Sequence, residues 1–339
     1  MVIATSERLL VTVHNRDGQV ATDRAELRAA LLRTPREIPS RFFYDDLGSW
    51  LFERITELPE YYQTRTEHAL LVAIAGRVAA ASRASQLVEI GSGAATKTRV
   101  LLDALERTGC MRLYVPVDVA EGTMRRVAEE LIAEYPDLAV HGIVADFGGD
   151  LSPLPALNGV DSAHACLPGG RLVIFLGGTI GNLPPREATE FLLRRHGEMS
   201  PGDFFLLGVD LVKPVARVEA AYNDAAGVTA EFNRNILRVA NDVAAGGDFD
   251  PGAFTHHAFY DAGRRWIEMR LRSDRQQRVR LPAIGLELEL AAGEEIRTEI
   301  SAKYDRASAD ALLAGAGFEP VDWFTDPEQL FGLVLARRP

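Results

Sequence analysis

Two glycines behind an acidic residue, Glu89-Ile90-Gly91-Ser92-Gly93, close a short apolar run and precede Lys97. Glycines at such a turn let backbone approach a ligand without a Cβ clash. The helix that follows offers free N–H groups to an anionic group. Alone, a Gly-x-Gly pair is equally what a tight strand-to-helix turn needs. Two later acids narrow the reading. Asp118 ends Val115-Pro116-Val117, where a carboxylate accepts hydrogen bonds from both hydroxyls of a ribose. Asp146-Phe147 follows a third apolar run, where an acid binds the adenine amine and an aromatic packs on its ring. Singly, each acid fits an exposed strand end or a helix cap. At successive strand ends they mark an adenosine pocket. The dinucleotide fingerprint wants a third glycine where Thr96 stands. Glu-x-Gly-x-Gly therefore favours S-adenosylmethionine over NAD.

A second glycine turn reads Gly177-Gly178-Thr179-Ile180-Gly181-Asn182-Leu183-Pro184. Paired glycines here bring backbone close to a transferring group. Asn182 offers a donor and an acceptor; a helix N-cap region before Pro184 is the competing reading. Other chemistries lack support. His256 and His257 are adjacent, so they cannot share a metal as an i, i+4 pair does, and they read as loop or surface residues. No His-Glu-x-x-His or cysteine cluster supports zinc, so no metal is expected. No Gly-x-Ser-x-Gly elbow supports hydrolysis.

The elements needed to position these turns are legible. Residues 24–33 and 66–81 have helical periodicity, with Pro35 and Pro39 between them. From residue 86 short apolar strands alternate with amphipathic helices: strands at 86–90, 113–117, 139–144, 171–176 and 203–209, helices at 97–107, 123–135 and 185–196. That rhythm predicts an α/β fold with a doubly wound and mostly parallel sheet; with the S-adenosylmethionine turn argued above at its first strand, the expectation is the Rossmann-like class I methyltransferase type. Residues 213–300 break it, with a helical part at 218–239, a Gly/Asp loop, and antiparallel segments at 266–271 and 285–290. These predict an α+β substrate-binding lobe. A helix at 308–316 and a strand at 331–336 close the sheet. The division is a cofactor-binding domain of 67–212 plus 303–339, and a lobe of 1–66 plus 213–302. Trp50 and Phe52 read as core.

Bulk properties bound the partners. The formal net charge of −11 argues against a nucleic-acid scaffold, which would carry a basic face. The longest apolar run is too short to span a membrane, and residues 1–10 do not read as a signal peptide. Two cysteines, Cys110 and Cys166, read as reduced thiols in a cytoplasmic protein. Only Lys97, Lys213 and Lys303 among 37 basic residues are lysine, which reads as genome composition.

Five blocks are long and unusual enough to compare with known families: residues 41–49 (Arg41-Phe42-Phe43-Tyr44-Asp45-Asp46-Leu47-Gly48-Ser49), 58–67, 177–182, 222–235 and 293–303. Together they resemble the histidine Nα-methyltransferase family of ergothioneine biosynthesis, from about residue 20 to the end. The resemblance implies three successive methyl transfers to L-histidine, giving trimethylhistidine (hercynine). It implies that Gly91, Gly93, Lys97, Asp118, Asp146 and Phe147 hold S-adenosylmethionine. It implies that Tyr61, Asn182, Tyr222, Met269, Glu299 and Ser301 hold histidine, with Tyr44 and Gly177 close to the reacting amine. It also implies a monomer whose partner is a small molecule, with no nucleic acid and no membrane. Glu299 and Ser301 alternate along a strand and so share a face, where they would bond the two imidazole nitrogens. Without the resemblance, that face reads as solvent-exposed. Three alternatives stay open: another aromatic amino acid such as tryptophan as substrate, an NAD-dependent oxidoreductase, and a non-catalytic S-adenosylmethionine-binding regulatory module.

Overall fold

The computed structural model describes residues 2–6, 8–13, 16–93, 95–145, 149, 151, 154 and 170–339. Asp146, Phe147 and Cys166 lie outside the described residues. Two strands, β1 (Val2–Ser6) and β2 (Leu9–Val13), are followed by helix α1 (Arg16–Leu31). Between the two prolines lies a two-residue strand, β3 (Arg36–Glu37), and a 3-10 turn follows at Ser40–Phe43. The aromatic-rich stretch is helical: α2 (Asp46–Thr56) begins where Asp45 accepts a hydrogen bond from the Gly48 N–H at 2.7 Å. Helix α3 (Gln63–Ser82) covers the expected 66–81 segment.

The alternating pattern then holds. It runs β4 (Gln86–Ile90), α4 (Thr96–Glu106), β5 (Leu113–Asp118), α5 (Glu121–Glu134) and β6 (Ala139–Val144). It continues as β7 (Arg171–Phe175), α6 (Pro185–Glu198) and β8 (Phe204–Asp210). Every residue of β4 is buried, as a strand covered on both faces requires. The expected 218–239 helix is two: α7 (Val215–Ala220) and α8 (Val228–Val243), parted by a turn in which the Asp224 carboxylate accepts from the Val228 and Thr229 N–H groups. Strands β9 (Phe254–Asp261), β10 (Trp266–Ser273), β11 (Gln277–Leu281), β12 (Leu286–Leu290) and β13 (Glu295–Ala302) build the lobe. Helix α9 (Arg306–Gly315) and strands β14 (Glu319–Thr325) and β15 (Phe331–Arg337) close the chain.

The large sheet has nine strands in the order β1-β2-β6-β5-β4-β7-β8-β15-β14. Its centre is parallel, and β15 joins β8 antiparallel. The order reverses between β4 and β7, so the crevice beyond their carboxyl ends is the place for a ligand. The Gly91 and Gly177 turns leave these two neighbouring strands. Strands β1 and β2, assigned from sequence to the lobe, extend this sheet beyond β6, which would otherwise be an open edge. One apolar layer beneath α3, α4 and α5 includes Leu71, Val78, Leu101 and Leu131; the other, beneath α6 and α9, includes Phe191, Leu192 and Leu313. The lobe has its own core, with Phe43, Tyr62, Phe232 and Ile236, around the four-stranded sheet β3-β13-β10-β9.

The two parts are sewn together where the chain leaves β13. The Tyr304 N–H donates to the Asp210 carbonyl, and the Val212 N–H to the Tyr304 carbonyl, each at 2.8 Å. Two sequence expectations fail here. Trp50 is 53 % exposed rather than core, because it lies on the outer face of α2. Cys110 is disulfide-bonded, not a reduced thiol.

Candidate active site

Strand β4 hands the chain to a turn with both Gly91 and Gly93 in the left-handed region, at φ 74° and 49°. Gly93 donates its N–H to the Asp118 carboxylate at 2.9 Å, and the other Asp118 oxygen accepts from the Ala120 N–H at 3.0 Å. Helix α4 starts with no side chain capping it, which leaves its first N–H groups open to a ligand. Glu89 is structural: its buried carboxylate accepts from Thr98 and, at 2.5 Å, from Tyr114, and so pins α4 to β5. Burial lifts its pKa to about 7 against those two bonds.

Lys97 pairs with Glu67, a wholly buried carboxylate of α3. The second oxygen of Glu67 accepts from the Gly177 N–H at 2.7 Å. Glu67 thus ties the two glycine turns together. Gly208 makes room for it, since a Cβ there would stand 2.5 Å from the carboxylate. Sequence reasoning passed over Glu67 because its partners are distant in the chain. The donor set suits an adenosyl amino acid: a strand-end carboxylate for ribose, and open α4 N–H groups with a half-buried ammonium for an anionic end.

On the other side of Gly177 lies a cleft with about 580 Å³ of empty space. Tyr44, Tyr61, Gly177, Asn182, Tyr222, Met269, Glu299 and Ser301 all line it. All eight residues expected around the substrate therefore share one cavity. Glu299 and Ser301 do project together from β13. Glu299 pairs across the ladder with Met269, next to a bulge. The Glu299 carboxylate has no hydrogen-bond partner among the described residues, and burial lifts its pKa to about 7 against the pull of Lys303. Tyr44 stands at the mouth, 40 % exposed overall, edge-on to Phe52 and Phe232. Its hydroxyl end is enclosed; burial, then Glu299, Tyr222 and Asp118, push its pKa above the ordinary phenol range. Tyr44 therefore stays protonated, and the Asp118 charge reaches it from the cofactor side.

Beneath the cleft is a buried network that sequence reasoning missed. The Lys303 ammonium donates to Asp210 at 2.8 Å, to Ser301 at 2.7 Å and to Tyr222 at 3.1 Å. Asp210 also accepts from Lys213 at 2.5 Å and from Tyr62. Burial opposes the Asp210 charge, but the two ammonium groups outweigh it and hold its pKa below the ordinary range. Burial brings Lys213 down to about 8, despite Asp210. All three lysines of the chain thus stand at or beside the site; in a chain that otherwise uses arginine, that choice was the signal. His256 is not on a loop: it lies on β9, with its ring bonded to Asn233 and to the Tyr222 carbonyl. Gln63 also lines the cleft, buried, with neither amide atom partnered.

The turn bearing Asn182 packs on β13 with no slack. A Cβ at Gly181 would stand 2.7 Å from the Ala302 carbonyl oxygen and 3.1 Å from its nitrogen. Gly181→Ala is expected to push Asn182 away from Ser301 and lower kcat/KM by about 100-fold, the scale of an ångström's misplacement. Steady-state kinetics with an unchanged circular-dichroism spectrum would check it.

A family profile described as histidine-specific methyltransferase, SAM-dependent, matches residues 23–338. The chain belongs to this family. The histidine N-alpha-methyltransferase of Mycolicibacterium smegmatis is 44% identical over 95% of this chain and 97% of that protein. That of Mycobacterium tuberculosis is 43% identical over 97% and 99%. Ergothioneine biosynthesis protein 1 of Neurospora crassa is 30% identical over 89% of this chain but only 33% of that longer protein. As a SAM-dependent methyltransferase, the protein takes S-adenosylmethionine as its cofactor. Among the described residues no cluster of side chains is arranged to hold a metal ion.

Proposed function

We propose that the protein transfers methyl groups to the α-amino nitrogen of L-histidine, three times in succession, to give trimethylhistidine. The observation that carries the substrate is the unpartnered, buried Glu299 carboxylate beside the Ser301 hydroxyl, within the cleft that Gly177 borders. A site built around such groups rejects side chains that leave them unpaired.

Gly91, Gly93, Lys97 and Asp118 hold the cofactor in this reading, together with Asp146 and Phe147. Bound S-adenosylmethionine supplies an electrophilic methyl on a sulfonium. The protein's part is to place a nitrogen lone pair in line with it, and positioning supplies most of the acceleration. Asn182 and Tyr222 take the substrate carboxylate, where charge-assisted bonds are stronger than neutral ones. Tyr61 and Met269 pack beside the substrate. Glu299 and Ser301 fix the imidazole, and the amine then lies near Gly177 and Tyr44. Tyr44, held protonated, orients the amine, and water carries its proton away. The protein acts as a cytoplasmic monomer on a free amino acid, without nucleic-acid or membrane partners; the net charge of −11 supports the former absence. No helix of the described residues is long and apolar enough to cross a membrane. Sedimentation at working concentration tests the monomer.

The deciding experiment is mass spectrometry of histidine after incubation with protein and cofactor, read for gains of one, two and three methyl groups. No gain with histidine, or an equal gain with tryptophan, would overturn the substrate. Tyr44→Phe is expected to slow turnover by about tenfold, the scale of one neutral hydrogen bond, or to shift the mono-, di- and trimethyl ratio. An unchanged rate and an unchanged ratio would remove Tyr44 from the reaction.

A further inference from the structure

Lys303 has three N–H donors and no acceptor. All three are spent: on Asp210 at 2.8 Å, on Ser301 at 2.7 Å and on Tyr222 at 3.1 Å. The side chain is fully buried, and so is its Asp210 counter-ion. Tyr222, having accepted from Lys303, donates its own proton to the Ser301 oxygen at 2.8 Å. A hydroxyl oxygen has two lone pairs and one proton. Both Ser301 lone pairs are filled, one by Lys303 and one by Tyr222. What remains for a ligand is the O–H, which Ser301 offers to the cleft as a donor. Two residues along β13, Glu299 offers the opposite: a carboxylate, acceptor only when ionised, with no partner among the described residues.

We infer that Lys303 is a positioning residue that makes Ser301 a donor, and that the site thereby binds histidine as one neutral imidazole tautomer. The inference rests on the histidine reading above. The ring nitrogen facing Glu299 carries the hydrogen, and the nitrogen facing Ser301 presents its lone pair. An imidazolium, with two N–H groups, is refused twice. While Tyr222 donates to it, Ser301 has no lone pair to receive the second N–H, and in every case the Lys303 ammonium lies directly behind it. If Tyr222 turns its proton to the substrate carboxylate, one Ser301 lone pair is released. That lone pair still lies on an oxygen 2.7 Å from a buried cation, so a second cation is repelled. The same arrangement sorts substrates. An indole has one ring N–H and no ring acceptor, so it satisfies Glu299 and leaves the Ser301 proton facing carbon. A phenyl or phenol ring satisfies neither. Donor and acceptor in this order match the ring of neutral histidine.

The test uses the full-length protein, S-adenosylhomocysteine and histidine labelled with nitrogen-15 in the ring. At a pH of about 7.5 the Glu299 carboxyl is largely ionised, and an ionised carboxylate by itself favours a protonated imidazole beside it. Nitrogen NMR of the bound ligand is expected to show one N–H-type and one lone-pair-type resonance. Two N–H-type resonances would overturn the inference while leaving histidine as substrate. Absence of any histidine binding would instead defeat the substrate reading, and this inference with it. In Lys303→Met the cation and its donated bond are gone, and bound histidine is expected to shift to the two-N–H form at the same pH. A folded Lys303→Met protein that still held the neutral ring would assign the control to something other than Lys303. The wild-type spectrum decides the tautomer whether or not that variant folds.

Discussion

Glu299→Leu is expected to cut kcat/KM for histidine by roughly 10- to 150-fold while leaving the affinity for S-adenosylhomocysteine within about twofold of wild type. The size is that of one hydrogen bond to a charged group, about 1.5–3 kcal/mol. Kinetics and calorimetry check the two halves separately. A second readout has the opposite sign. Folding lifts the Glu299 carboxyl from its ordinary 4.5 to about 7. A carboxyl raised in the folded state costs nothing below its unfolded pKa. The penalty grows as pH rises through that value and is complete above the folded one. Above pH 7 it is on the order of 3 kcal/mol. The variant should therefore be more stable than wild type at pH 8, and the gain should vanish by pH 4. Urea midpoints at the two pH values measure it. A variant that lost turnover and stability together would show Glu299 to be a packing residue.

Asp210→Asn is expected to produce the largest loss of stability, about 3–5 kcal/mol, because it leaves the Lys303 ammonium buried without an anion. That is a large share of a typical total of roughly 5–15 kcal/mol. The pH sign is again fixed. Asp210 is held below its ordinary pKa in the folded protein. Its contribution is fully present above about pH 4, the unfolded value, and is lost as pH falls through the folded one. The gap between variant and wild type should therefore close in acid. Adding Lys303→Met to Asp210→Asn should restore part of the stability, since one of the two buried ammonium groups that Asp210 had neutralised is then gone. Losses that simply add would show the two groups to be uncoupled.

The strands that carry the site were legible for a physical reason. A strand buried on both faces must be apolar throughout, and a turn that leaves it toward a ligand needs glycine. The 86–90 and 139–144 expectations coincide with β4 and β6 to the residue. The alternation that sets Glu299 and Ser301 on one face was legible as well. Whether that face meets water or a cavity was not, because β10 and the Asn182 turn decide it from elsewhere in the chain. Helix α2 was hidden by aromatic and charged residues that read equally as loop. Strand β14 was hidden because Pro320 is its second residue, at a bulge on a sheet edge. Asp210 and Glu67 gave no local signal, since their meaning lies in contacts with distant segments, and Lys303 was marked only by being one of three lysines.

The placement of the lysines has a practical side. Lys97 is 22 % exposed, Lys213 3 % and Lys303 0 %, and the chain has no others. Reagents that acylate or reductively alkylate lysine side chains thus meet no bystander lysine on the surface. Dyes, cross-linkers and resin couplings aimed at lysine would act on Lys97 first, beside the cofactor turn. Attachment chemistry for this protein has to start from another residue type.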